Sequence, residues 1–164
     1  MHREKLRGAY DVVVLVITLS LYSAMTFWDI RLPGPHYDET FPAAAAVNFY
    51  ENRSETVPMM IDPSVVTLFG RPLPLMLMTY IGSVQTFLYI PVFMVLGDDV
   101  AVVRGTSIVL GCLFLFITYL FFRNAFDRTI ATATLVLLCA DPGFVFYTTR
   151  DFGPSAVALL LKMT

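Results

Sequence analysis

The feature that most constrains this chain is a predominantly apolar run from about residue 10 to 28. A helix of roughly 20 predominantly apolar residues crosses the hydrocarbon core of a bilayer, and this run meets that length. Arg3, Lys5 and Arg7 precede it, and Phe27-Trp28 close it. A basic flank followed by an interfacial aromatic belt places the N-terminus in the cytoplasm and the next segment outside. The basic start resembles a secretory n-region. The apolar run is longer than an h-region and lacks a small-residue cleavage site, so a retained anchor is expected.

Composition supports the same class. Of 164 residues, 57% are hydrophobic and 15% charged, with a mean hydropathy of +0.69. Soluble domains carry about a quarter charged residues, so an integral membrane protein is expected. A net charge of −2 excludes a strongly basic nucleic-acid binder. Cys112 and Cys139 lie in apolar runs without a CxxC pattern and read as small packing residues.

Two further clean apolar runs cover about 103–122 and 129–147, and another starts at about 155–164. Arg123 and Arg128, between the clean runs, favour a cytoplasmic turn. The segment 73–96 is apolar but interrupted by Gly82, Ser83, Gln85, Thr86 and Pro91, so it reads either as a span or as a segment lying at the interface. The arginine bias favours the second option, which leaves residues 29–102 as one extracytoplasmic loop. The expected fold class is all-α: a polytopic membrane helical bundle whose extracytoplasmic loop carries juxtamembrane helices. Residues 1–164 are expected to form one N-terminal transmembrane region of a longer protein.

Polar chemistry concentrates at the ends of these runs. His36-Tyr37-Asp38-Glu39-Thr40 is the first polar cluster after the anchor. Thr40 is placed to cap a helix over 43–50 with Pro42 in its first turn. Carboxylates beside a helix N-terminus neutralise its dipole; alternatively, one takes a proton from an acceptor hydroxyl while the other orients it. Spacing alone favours the first role. Arg150-Asp151, at the end of the 129–147 run, is either an interfacial ion pair or a carboxylate and guanidinium suited to a sugar and a phosphate. Asp141-Pro142-Gly143 reads as a turn. Arg71 either snorkels to lipid phosphate or binds the phosphate of a lipid-linked donor. His36 has no spaced partner and is not read as a metal ligand.

An anchor helix, a Tyr-Asp-Glu-Thr cluster and an alanine-rich helix, taken with Arg71-Pro72 and the Tyr147–Asp151 segment, resemble the GT-C superfamily of membrane glycosyltransferases. The likeness is greatest to the family-39 protein mannosyltransferases and the lipid A aminoarabinose transferases. The resemblance implies sugar transfer from a polyprenyl-phosphate donor to a hydroxyl of a protein, lipid or glycan on the extracytoplasmic side. It implies Asp38 as base, with Glu39 supporting it and Asp151 positioning acceptor or sugar. Arg71 and Arg150 would bind the phosphate, with Tyr37 and His36 lining the substrate site. The implied partners are the donor, the hydroxyl acceptor and membrane lipids, in a bacterial inner membrane or its equivalent. The cofactor is left open: a divalent cation is compatible, although no metal-binding motif is present. The alternative reading is a non-catalytic membrane protein, either a transporter fragment or an inactive remnant. Transport is disfavoured because the mid-run positions are almost wholly apolar.

Overall fold

The computed structural model describes residues 2–51, 65–78, 81–150 and 155–163. Asp151 lies outside them. Among the described residues the chain is mostly helical: α1 (His2–Phe27), α2 (Tyr37–Tyr50), α3 (Val84–Leu96), α4 (Val100–Ala125), α5 (Arg128–Ala140), α6 (Pro142–Arg150) and α7 (Ser155–Met163). Two small antiparallel hairpins, absent from the all-α expectation, lie between α2 and α3. One pairs β1 (Val65–Leu68) with β2 (Arg71–Pro74), the other β3 (Met76–Met78) with β4 (Ile81–Gly82). The β1–β2 register sets Leu68 opposite Arg71, so Phe69-Gly70 is a two-residue turn with both residues at positive φ. This is the mirror-image turn that fits the twist of two strands.

Two helices are long and apolar enough to cross a membrane, Gly8–Phe27 and Val100–Ala125. Their burial patterns make the membrane reading physical. On α1 the buried stripe is Asp11, Thr18, Tyr22 and Thr26, while Val12, Val13, Val16, Ile17 and Leu21 are exposed. On α4 the buried set includes Arg104, Ser107 and Thr118, and the exposed set Val109, Leu113 and Phe116. A helix facing water shows the opposite arrangement. Polar groups turned inward and aliphatic ones outward suit a hydrocarbon solvent, in which unsatisfied polar groups are expensive.

The run expected as one span over 129–147 is instead two helices bent by 63°. Pro142 opens α6 and Asp141 Oδ1 accepts from the Phe144 N–H at 2.6 Å, so a fresh helix N-terminus forms in mid-run. Hydropathy averages across such a break. The ambiguous 73–96 segment is not one helix either. Strand residues lead to α3, whose 13 residues rise about 20 Å, short of the roughly 30 Å hydrocarbon core.

The core has three parts, the smallest being Phe41 and Ala45 of α2 packed against Leu77 of β3. Tyr22, Ile108, Leu115, Tyr119 and Leu135 pack where α1, α4 and α5 meet. At Gly111 the helices α1, α4 and α6 converge: Tyr22 donates to Thr148 Oγ1 at 2.6 Å, and a Cβ on Gly111 would collide with the Tyr22 hydroxyl. The second part joins α2 and α3 to the first turn of α4 through Ala46, Tyr89, Phe93 and Val103.

Ion pairs fix the helix directions. Asp11 in α1 meets Arg123 of α4 at 2.9 Å and Arg128 of α5 at 3.2 Å. At the other end, Arg104 of α4 reaches the carbonyls that follow α1. Helix α4 therefore runs antiparallel to α1, and the α5–α6 chain returns toward the end where α1 finishes.

Candidate functional site

The site is built around Glu39 and Arg104. Helix α2 starts at Tyr37, earlier than expected, and its N-cap is His36 rather than Thr40. The His36 ring Nδ1 accepts from the Asp38 N–H at 3.3 Å, and the Glu39 carboxylate accepts from the His36 N–H at 2.7 Å. These two bonds make a capping box, which satisfies helix donors reciprocally. Asp38 and Glu39 therefore lie in the first turn, not ahead of it. Pro42 falls in the second turn, where it lacks the N–H that would bond the Asp38 carbonyl.

Adjacent positions on a helix point about 100° apart, and the two carboxylates diverge accordingly. Glu39 is 1% exposed and turns inward to Arg104, which is fully buried. The pair is bidentate, Nε to Oε1 and Nη2 to Oε2, both at 2.9 Å. Arg104 also donates to the carbonyls of Ile30 (2.8 Å), Pro33 (3.0 Å) and Gly34 (3.1 Å). A guanidinium has five N–H donors in a rigid fork, and all five are used here. The cluster pins α2, the connection after α1 and the start of α4 into one unit. Such a pair is costly to desolvate and is justified only by near-complete hydrogen bonding.

Asp38 remains the accessible carboxylate. Its side chain is 33% exposed, and Oδ2 lies 3.7 Å from His36 Nδ1. Tyr37 is half-exposed beside it and packs edge-on against Phe41 with ring centroids 4.5 Å apart. Arg71 is placed differently. Its Nη1 donates to the carbonyls of Tyr50 at 2.8 Å and Phe49 at 3.2 Å, which caps the C-terminal end of α2.

Arg150 lies at the Glu39 end. It is within electrostatic reach of Arg104, Glu39 and Asp29. It borders a cavity of about 380 Å³ whose walls also include Met25, Thr26, Asp29, Pro142 and Thr149. The cavity lies at the α5–α6 bend, against the last turn of α1. Arg150 Nη1 is a buried nitrogen with no hydrogen-bond partner among the described residues. Arg150 thus sets a guanidinium beside the cavity, with one of its nitrogens buried and unmatched behind the wall.

The structure thus brings His36, Tyr37, Asp38, Glu39 and Arg150 to one end of the helices, and sets Arg71 at the far end of α2. Arg104 and Asp29 join the site without having been expected there. The signal for Arg104 was present: an ionisable residue within an apolar run is a functional candidate by default. Among the described residues no group of three or more His, Cys, Asp or Glu could hold a metal ion. The chain matches no protein-family model, no curated protein and no solved structure.

Proposed function

We propose that the Glu39 end is the active site of a polytopic membrane glycosyltransferase that uses a polyprenyl-phosphate sugar. The observation that carries this reading is a cavity bordered by the Arg150 guanidinium, at the same end of the helices as the accessible Asp38 carboxylate. The acceptor hydroxyl attacks the anomeric carbon, and the sugar–phosphate C–O bond breaks with its electron pair leaving on polyprenyl phosphate. Asp38 takes the acceptor proton. Arg150 meets the charge that develops on the phosphate, where a fixed cation lowers the barrier most. Glu39 touches no reactant. It is a positioning residue that, through Arg104, holds the first turn of α2 and hence Asp38. Asp151 follows Arg150 directly and is assigned to acceptor or sugar. Arg71 adds positive charge at the far end of α2. The site faces the extracytoplasmic side, with the N-terminus in the cytoplasm.

Transfer assays with a polyprenyl-phosphate sugar and a hydroxyl acceptor test the assignment. Asp38→Asn is expected to lower turnover with little change in donor affinity. Arg150→Gln is expected to weaken donor binding and turnover together. Wild-type transfer by both variants would refute the assignment. The non-catalytic reading draws on a different observation, namely that Glu39 and Arg71 already have protein partners that explain them. It predicts that neither variant changes any transfer reaction.

A further inference from the structure

Helix α3 has an inverted surface. Its buried residues include Gln85 and Thr86, at 2% and 0% exposure, whereas Val84, Phe87, Leu88, Pro91, Met94 and Val95 form an exposed stripe at helical spacing. A helix lying on a soluble protein keeps the polar side out. The stripe continues onto the β1–β2 hairpin. Phe69, at the hairpin tip, is 90% exposed and holds a left-handed φ of 54°. A bulky residue in that region is a strained outlier. Asparagine or glycine would make the same turn without strain. Leu68 and Phe69 share a groove of about 680 Å³ with Phe87, Ile90 and Met94 of α3.

We propose that the hairpin tip and the outer stripe of α3 form one lipid-contacting surface that dips into the membrane interface. Three observations select lipid as the occupant. The first is tethering: α3 ends at Leu96 and the α4 span starts at Val100. The intervening chain reaches only about 10 Å, so the end of α3 stays near the membrane boundary. The second is length, since α3 is apolar along its outer side yet too short to cross. The third is charge: the groove's described walls carry one cation, Arg71, and no carboxylate, which suits a phosphate headgroup above buried acyl chains. Amphipathic segments of this kind sit about 5–10 Å below the headgroups. This surface does not depend on the proposed glycosyl transfer.

The test is spin-label accessibility in vesicles of phosphatidylcholine and phosphatidylglycerol. Single cysteines are placed at Phe69 and, separately, at Val95 in a full-length chain carrying Cys112→Ala and Cys139→Ala. Val16→Cys on the lipid face of α1 and Glu51→Cys at the exposed end of α2 are the references. Labels at 69 and 95 are expected to collide more with oxygen than with a water-soluble nickel chelate, as at 16 and opposite to 51. An aqueous profile at either position would overturn the proposal. So would exclusion of both reagents, which would indicate a protein partner or a second copy over the surface.

Discussion

The helices carry an ionic cluster at each end, and the two are built on different principles. At one end Arg104 is sealed: it is fully buried, bidentate to Glu39, and has all five donors spent on groups from α2 and the connection after α1. At the other end Asp11 is shared between Arg123 and Arg128, each about a third exposed, and accepts from the Tyr119 hydroxyl at 2.8 Å. The Asp11 cluster fastens α1, α4 and α5, and its two arginines can exchange partners with water. The Glu39 cluster cannot, because burial makes every lost bond costly. The comparison teaches where order is invested. The sealed cluster lies beside the cavity, the accessible Asp38 and Arg150, and would give the proposed chemistry a fixed frame.

Mutations can break or sharpen this contrast. The largest effect is expected from Arg104→Met, which leaves the Glu39 carboxylate buried without its counter-ion and costs about 3–5 kcal/mol. Thermal unfolding in detergent measures it, and adding Glu39→Leu is expected to restore much of the loss. A smaller effect is expected between the two ends. Gly111→Ala drives a methyl into the Tyr22 hydroxyl and costs about 1–3 kcal/mol as overpacking. Tyr22→Phe in the same chain relieves the clash, so the double variant should melt above Gly111→Ala alone. The smallest effect is expected at the Asp11 end. Asp11→Asn should cost less than Arg104→Met, and less still in high salt, because Arg123 and Arg128 are each about a third exposed and can turn to water. A salt-independent loss equal to that of Arg104→Met would erase the distinction between the clusters.

The spans were legible in the sequence because hydropathy over about 20 residues is a strong signal. The α1 and α4 cores coincide with the expected 10–28 and 103–122. Their ends do not, because caps set them: the Asp99 side chain accepts from the Ala101 N–H at 2.8 Å and starts α4 at Val100. The Asp141–Pro142 break was visible as turn chemistry but was outweighed by the apolar average around it. The β1–β2 hairpin escaped notice because Phe-Gly lacks the usual asparagine or aspartate of a mirror-image turn. At the site, Asp38 and Glu39 were legible as an adjacent pair with separate expected roles, but not as one exposed and one buried carboxylate. That difference depends on Arg104, 65 positions later, and on which side of α2 faces α4. Spacing within one segment carries no record of such a partner.

We propose that the Glu39 end, and not the Asp11 end, receives a lipid-linked phosphate. The most direct measurement is equilibrium binding of a polyprenyl phosphate to the purified protein and to two variants, each removing one arginine from an opposite end. Arg150→Gln is expected to weaken binding at least about tenfold, roughly 1.4 kcal/mol, while Arg123→Gln binds as wild type. Equal affinity in all three proteins, or a loss confined to Arg123→Gln, would contradict the account.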